Sequence, residues 1–439
     1  MAVARGSETM RCGAKKIATG AVAEKLKRQL SYTLGESRFY QNKLAGISYS
    51  GTEGLERFDE IPFTTKNEVL EDQRREPPFG TNLCVDTAKV QRVHKTSGST
   101  DRPLFVALSR NDVRLTVKIG SECFAASGLR AADTVVHCLN YQMWAGGYTD
   151  HQSLEATGAA VIPFGVGNSR NLIETMLQIR PTAIHCTPSY LAKLELIARE
   201  EFKMTPSELG LRLGLFGGES GFQNPDFRRH IEKTWGLKAM NANYGVSEVL
   251  SMSASESVKQ DGLCFRAAEA LFAELIGGGD APTVLPIEEG VQGELVLTHL
   301  CKEAQPLIRY RTNDIIKILA VDKSRDRGSF RFEVVGRSDD MIVVKGINLF
   351  INNLDTVIKK HLDVLTGVFH IFVNQSDPIG RILLKIERRD ISGFADGAVK
   401  ALLTQEFKDH CSVKPEIDFL PPGSLPRTEG KSKRLFRTL

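Results

Sequence analysis

The 439-residue chain carries 57 basic and 53 acidic side chains, a net charge of +4, with 41% hydrophobic and 25% charged residues. Such a balance is that of an ordinary globular protein and gives no electrostatic case for nucleic-acid binding. No apolar run reaches the 18 residues of a membrane span, and the first residues lack the apolar stretch of a secretion signal, so no membrane partner and a cytoplasmic location are expected.

In chain order, the apolar spacing of residues 22–36 predicts a peripheral helix. The stretch "TSGSTDRP" follows at 96–103. Ser109 is placed to cap a helix running from Arg110 to Gly128. From there apolar strands alternate with amphipathic helices: strands over 133–140, 159–165, 182–188, 211–219 and 237–245, and helices over 149–157, 169–180, 189–202 and 225–236. This is the pattern of an α/β fold with a mostly parallel sheet covered on both faces. Two β-like runs, "GELVLTHL" and "DIIKILAV", come next. Near Gly336 the chain restarts with its own strand and helix signals, which predicts an N-terminal domain over 1–338 and a smaller α+β domain over 339–439.

Ligands of open parallel sheets bind at the carboxyl ends of the strands. Three predicted strands end in Thr187-Pro188-Ser189, Gly217-Gly218-Glu219 and Asn243-Tyr244-Gly245, which should converge on one crevice. Thr96, Ser97, Gly98, Ser99 and Thr100 have the small side chains and hydroxyls that wrap phosphate, although the same run reads as a surface turn. Glu248 is suited to hold Mg²⁺ on phosphates, and Asp314 to accept both hydroxyls of a ribose. Structural salt bridges explain "IRYRTND" equally well. "GRSDD", with Arg337 and Asp339, reads as a hinge or as a plain linker, and the basic tail around Lys431 as a solvated end or as a mobile catalytic loop.

Taken in order, "HCTPSYL", "FGGES", "NYGVSE", "IRYRTND", "GRSDDMIVVKGINLF" and "LPRTEGKSKR" resemble the motifs of the adenylate-forming superfamily, most closely its phenylacetate–CoA ligase branch, over roughly residues 90–439. The resemblance implies a large domain that holds ATP and an acid under a small mobile domain. It implies Thr96–Thr100 on the β- and γ-phosphates, Gly217, Gly218 and Glu219 along the adenine and acyl region, and Tyr244, beside Asn243 and Gly245, against the base. Ser247 and Glu248 would serve the α-phosphate and Mg²⁺, Asp314 and Arg337 the ribose, and Lys431 the reacting phosphate. Asp339 would be the hinge and the Gly346 loop would meet coenzyme A. The implied reaction is ATP-dependent activation of a small aromatic acid (phenylacetate, benzoate or 2-aminobenzoate type) as acyl-AMP, then thioester formation with CoA. Tyr141, Gly146, Gly147, Pro188 and Gly218 would line a flat ring pocket.

The chain departs from the family pattern at Asp101 and Arg102 in the loop, at Asn313 where RTGD is usual, and over Ile351–Asp355. Asp101 is expected to face solvent or to pair with Arg102 or Lys95. Some relatives carry a Cys/His metal cluster where Ser257 and Cys264 stand, so no structural zinc is expected. The alternatives are an adenylating enzyme that loads a carrier protein and a nucleotide-binding scaffold. A downstream acyltransferase and a homodimer are further expected partners at the family level.

Overall fold

The computed structural model describes residues 20–45, 55–96, 103–219, 221–222, 224–278, 282–322, 329–338, 341–344, 347–374, 382–389, 395–411, 413–426 and 434–438. Its strands are β1 (Val90–Lys95), β2 (Phe105–Ser109), β3 (Thr134–His137), β4 (Ala160–Pro163), β5 (Ala183–Cys186), β6 (Leu213–Gly217) and β7 (Lys238–Val246). They continue as β8 (Leu250–Glu256), β9 (Leu263–Phe265), β10 (Leu271–Ile276), β11 (Val284–Leu285), β12 (Gln292–His299), β13 (Tyr310–Asp322) and β14 (Ser329–Arg337).

Twelve of these form one sheet in the order β11-β10-β12-β13-β14-β9-β8-β7-β6-β5-β3-β4. The run β7-β6-β5-β3-β4 is parallel, and from β7 to β11 every pairing is antiparallel. The period of two in each parallel strand sorts its side chains between two cores. Val135, Ala183, Leu213 and Leu215 face the core shared with the helix Arg110–Ala126. Val136, Ile184, Cys186 and Phe216 face the helices Ser169–Ile179, Pro188–Glu200 and Pro225–Trp235. At the amino ends, Asp133 accepts from Thr182 Oγ1 at 2.7 Å and from Arg212 Nε at 2.8 Å, which pins β3, β5 and β6 together. The opposite ends are left to the site.

The helices lie close to where patterning placed them. Ser109 caps Arg110–Ala126 in a full capping box with Asp112. The helix predicted over 149–157 is different: it spans Ala145–Glu155, with Trp144 at its cap and no side-chain cap bond. Glycines at 146 and 147 argue locally against helix. Gly147 is kept because the backbone comes close there: a Cβ on it would stand 2.1 Å from the Asn140 carbonyl oxygen.

A second hydrophobic core spans Ile342 to Ile417. It joins the hairpin β15 (Met341–Val344) and β16 (Ile347–Phe350), the helices Ile351–Lys359 and Asp396–Cys411, and a sheet of β17 (Leu365–Asn374), β18 (Ile382–Arg388), β19 (Glu416–Leu420) and β20 (Leu435–Thr438) in the order β19-β18-β17-β20. Its helix Ile351–Lys359 rests on the large domain. Asn224 Nδ2 donates to the Thr356 carbonyl at 3.1 Å, and Lys359 Nζ lies 4.3 Å over the Phe227 ring while paired to Asp355 at 2.7 Å. No helix among the described residues is long and apolar enough to cross a membrane.

Three buried histidines make the fold acid-sensitive. Burial is the main cause that lowers His94 and His299 to about 4 and His137 to about 3. All three are neutral in the fold, so the unfolded chain takes up protons first, near pH 6.5. Stability is therefore full above that pH and declines as the pH falls toward 4. At pH 5 each histidine accounts for about 2 kcal/mol of the loss. Guanidinium midpoints at pH 7 and pH 5 measure it; equal midpoints would contradict the buried neutral rings.

Candidate active site

The crevice is built where β5, β6 and β7 end. β5 runs into Thr187 and the helix start at Pro188, a proline at the first helical turn where no amide donor is lost. β6 ends at Gly217 and passes through Gly218 at φ +79 to Glu219, whose Oε2 accepts from the Ser189 amide at 3.1 Å. That bond ties the two strand ends. β7 carries Asn243, Tyr244 and Gly245, and the turn to β8 holds Ser247 and Glu248.

Asp314 meets this group from β13. Tyr244 donates its hydroxyl to Asp314 Oδ2 at 2.7 Å, and Arg337 Nη1 donates to Oδ1 at 2.9 Å, directly across the β13–β14 register. Thr312 Oγ1 accepts from the Asp314 amide at 3.0 Å. Burial and the neighbouring Asp314 carboxylate hold the Tyr244 phenol well above its ordinary value, so it stays a donor. Asp314 is thus a carboxylate held at both oxygens. Tyr244 also packs edge-on against Phe332 at 5.2 Å.

The segment "IRYRTND" divides between structure and site. Arg309 is fully buried, bound to Glu274 at 3.0 Å and placed 4.1 Å from the Phe63 ring centroid; Arg311 pairs with Glu294 at 2.6 Å. Those two are structural, and Asp314 alone turns to the crevice. Asn313 has φ +61, and its carbonyl accepts from the Ser338 amide at 2.8 Å. A left-handed position explains why glycine is the family's usual choice and why asparagine replaces it at little cost. Asn313→Gly is expected to leave stability within about 0.5 kcal/mol, whereas Asn313→Ala loses about 1 kcal/mol or more, by urea denaturation.

Glu248 is 9% exposed, and Lys66 Nζ lies 2.8 Å from its Oε1. The lysine comes from the helix Lys66–Arg75, and nothing in the sequence marked it. Glu248 shares a small cavity with Leu104, Val106, Gln305 and Tyr310. Leu104 is also where the loop that begins at Thr96 ends: Thr96 Oγ1 accepts from the Leu104 amide at 3.1 Å, and the Thr96 amide donates to the Leu104 carbonyl at 2.9 Å. Thr96 and Leu104 thus close the described base of the β1–β2 hairpin, and Leu104 lines the cavity it shares with Glu248. Ser97, Gly98, Ser99, Thr100, Asp101, Asp339, Gly346 and Lys431 lie outside the described residues.

At the acyl end the expected residues separate. Gly146 and Gly218 converge, since a Cβ on either would meet the rim of Trp144 at 3.4 Å, and Thr187 Cγ2 is 3.7 Å from the same point at Gly218. Gly147 is a packing glycine, covered by the Asn140 and Tyr141 backbone, with its carbonyl accepting from His137 Nε2 at 2.9 Å. Tyr141 is held away by its hydroxyl on His151 Nδ1 at 2.9 Å and its ring beside His137. Pro188 lines a different space, the cleft between the large domain and the C-terminal unit, with Phe227, Lys359 and Arg434. The turn after β8 is tied by Ser257 Oγ on Asp261 Oδ1 at 3.3 Å and by Arg331 on the same carboxylate.

Comparison with known proteins bears on this arrangement. Residues 346–438 match the model of the AMP-binding enzyme C-terminal domain. Over 433 residues the chain is 30% identical to the phenylacetate-coenzyme A ligase of Thermus thermophilus, covering 94% of each. Among solved structures, 2-hydroxyisobutyryl-CoA ligase in the postadenylation state with R3-HIB-AMP superposes with a TM-score of 0.85 at 25% identity, over 95% of this chain and 89% of that one. The same enzyme in the thioesterification state, with 2-HIB-AMP and CoA, gives 0.67 over the same shares. The chain thus superposes better on the postadenylation form of that enzyme than on its thioesterification form.

Proposed function

The chain belongs to the phenylacetate–coenzyme A ligase family, and on that premise we propose how its residues carry out an AMP-forming ligation of an aromatic acid to coenzyme A. The enzyme is an acid–thiol ligase that works through an acyl-adenylate. The acid's carboxylate oxygen attacks the α-phosphorus of ATP, the bond to the β-phosphate oxygen breaks and pyrophosphate leaves. The CoA thiol then attacks the acyl carbon, the thiol proton is lost, and AMP departs.

The observation that supports our site assignment best is the Asp314 carboxylate, anchored by Tyr244 and Arg337 at the mouth of the crevice. A carboxylate oriented in this way suits the two vicinal hydroxyls of the ATP ribose. Fixing the ribose there would set the α-phosphate over the end of β7, near Ser247, and run the β- and γ-phosphates toward the β1–β2 loop. Glu248, a nearly buried carboxylate at the end of the crevice that pairs with Lys66, is the residue that would hold Mg²⁺, whose charge would offset that of the phosphates. The chain's own part is positioning and charge complementarity. Lys431 would supply a mobile ammonium at the α-phosphate during adenylation.

The division into domains 1–338 and 339–439, with Asp339 as pivot, belongs to the same proposal. Rotation about it would withdraw Lys431 and bring the Gly346 loop to the CoA thiol. Acid-dependent ATP–pyrophosphate exchange over a panel of aromatic acids, followed by thioester detection with CoA, tests the whole reading. Exchange with no acid would refute the aryl-acid assignment, and thioester formed only on a carrier protein would move the acceptor away from CoA.

A further inference from the structure

The helix Ala145–Glu155 delivers one more polar group to the acyl end of the crevice. Asp150 is fully buried. It lies four residues after Gly146, and helical side chains lean toward the N-terminus, so its carboxyl comes back over the Gly146 face. A Cβ on Gly146 would stand 3.5 Å from Asp150 Oδ2 and 3.4 Å from the Trp144 rim, and a Cβ on Gly218 would stand 3.4 Å from the same rim. The Asp150 carboxyl, the indole edge and the two glycines therefore lie together at this end of the crevice.

The polar end of that space is incompletely satisfied. Asp150 Oδ2 accepts from the Asn243 amide, and Oδ1 has no hydrogen-bond partner among the described residues. His185 Nε2, 3.9 Å from Asp150 Oδ2, likewise has none. Its tautomer follows from its neighbours. The Gly147 carbonyl can only accept, so His137 donates through Nε2 and carries a lone pair on Nδ1. That lone pair takes the proton of His185 Nδ1, 2.8 Å away, and leaves His185 Nε2 with a lone pair facing Asp150. The period of two places His137 on β3 and His185 on β5 on this same face of the sheet. Burial holds the His185 imidazole well below its ordinary value and the Asp150 carboxyl well above its own. Leaving a buried polar group unsatisfied is costly. Two in one spot, beside the acyl end, are explained when a ligand brings the missing partner.

The geometry points to Asp150 and His185 as the specificity-determining pair of the acid pocket, taking an amino or hydroxyl group carried on the aromatic acid; this rests on the aryl-acid reading above. Such a group donates to His185 Nε2 and engages Asp150 Oδ1 at once, while Asn243 holds the carboxyl in place. Sites built to hydrogen-bond a substrate group discriminate against analogues that lack it far more strongly than apolar pockets do.

The test is acid-dependent ATP–pyrophosphate exchange by the full chain with benzoate and phenylacetate, each beside its ring-amino and ring-hydroxy isomers. At least one donor-bearing acid is expected to exceed its parent by tenfold or more in kcat/KM. Asp150→Ala is expected to cut that ratio at least tenfold. The isosteric Asp150→Asn should also lower it, and serves if the alanine variant does not fold. The inference is overturned if the parent acids are used as well as every derivative, or if both variants slow parent and derivative equally, as a purely structural carboxyl would. Exchange with parent acids only removes this inference and leaves the aryl-acid reading standing; exchange with none removes both.

Discussion

Lys431→Ala is expected to slow acid-dependent ATP–pyrophosphate exchange by about 10²–10³-fold, while supplied acyl-adenylate is still converted to thioester. In the first half-reaction, negative charge accumulates on the α-phosphate oxygens as the carboxylate attacks and pyrophosphate leaves. An ammonium placed there acts on charge that exists mainly in the transition state, so its loss appears in kcat more than in KM. A contact of this kind is worth about 3–4 kcal/mol in a dry site. The second half-reaction breaks a bond to AMP at the acyl carbon and does not need the same cation. Equal loss of both half-reactions in the alanine variant would refute the role and leave the basic tail as a solvated or structural end.

Asp314→Ala should weaken productive ATP binding by about 10²–10⁴-fold, read as kcat/KM for ATP. Hydrogen bonds to a charged acceptor contribute about 1.5–3 kcal/mol each, and the ribose would make two. The variant also leaves the Tyr244 hydroxyl and one face of Arg337 without their carboxylate, so some stability loss accompanies it. Two further variants separate the causes. Tyr244→Phe removes one orienting bond and should cost about 1 kcal/mol, five- to tenfold in kcat/KM for ATP. Asp314→Asn keeps the shape and should keep the melting temperature nearer to wild type than its ATP kinetics. A folded Asp314→Ala protein with unchanged KM for ATP would show that the carboxylate only braces β13 against β14.

Much of the fold was legible because the relevant signals are local. Each strand, helix and cap is written in its own short segment, and period-two and helical spacing report burial directly, so the strand ends of the candidate site could be listed from sequence. The same reasoning failed at Ala145–Glu155. Two glycines at the start of that helix contradict propensity, and for Gly147 only the close approach of Asn140 explains the choice. The split of Arg309 and Arg311 from Asp314 was equally hidden. Three charges on one segment look alike until Glu274 and Glu294 are seen to claim the first two. Lys66 went unnoticed because its partner Glu248 lies on a different part of the chain.

By itself, then, the sequence determined the order and type of the elements, the capping of the Arg110–Ala126 helix, and the strand ends that could form a site. These depend on neighbours within a few residues. Only the tertiary structure decided which of those groups meet. Tyr244 finds Asp314 70 residues on, and Asp150 finds Asn243 93 residues on. It made Asn313 a left-handed position, moved Tyr141 and Gly147 from the pocket into packing, and set Trp144 between Gly146 and Gly218. The physical reason is that a buried polar group's role is fixed by its partners, and those partners are chosen by sheet register and helix docking rather than by the residues beside it in the chain.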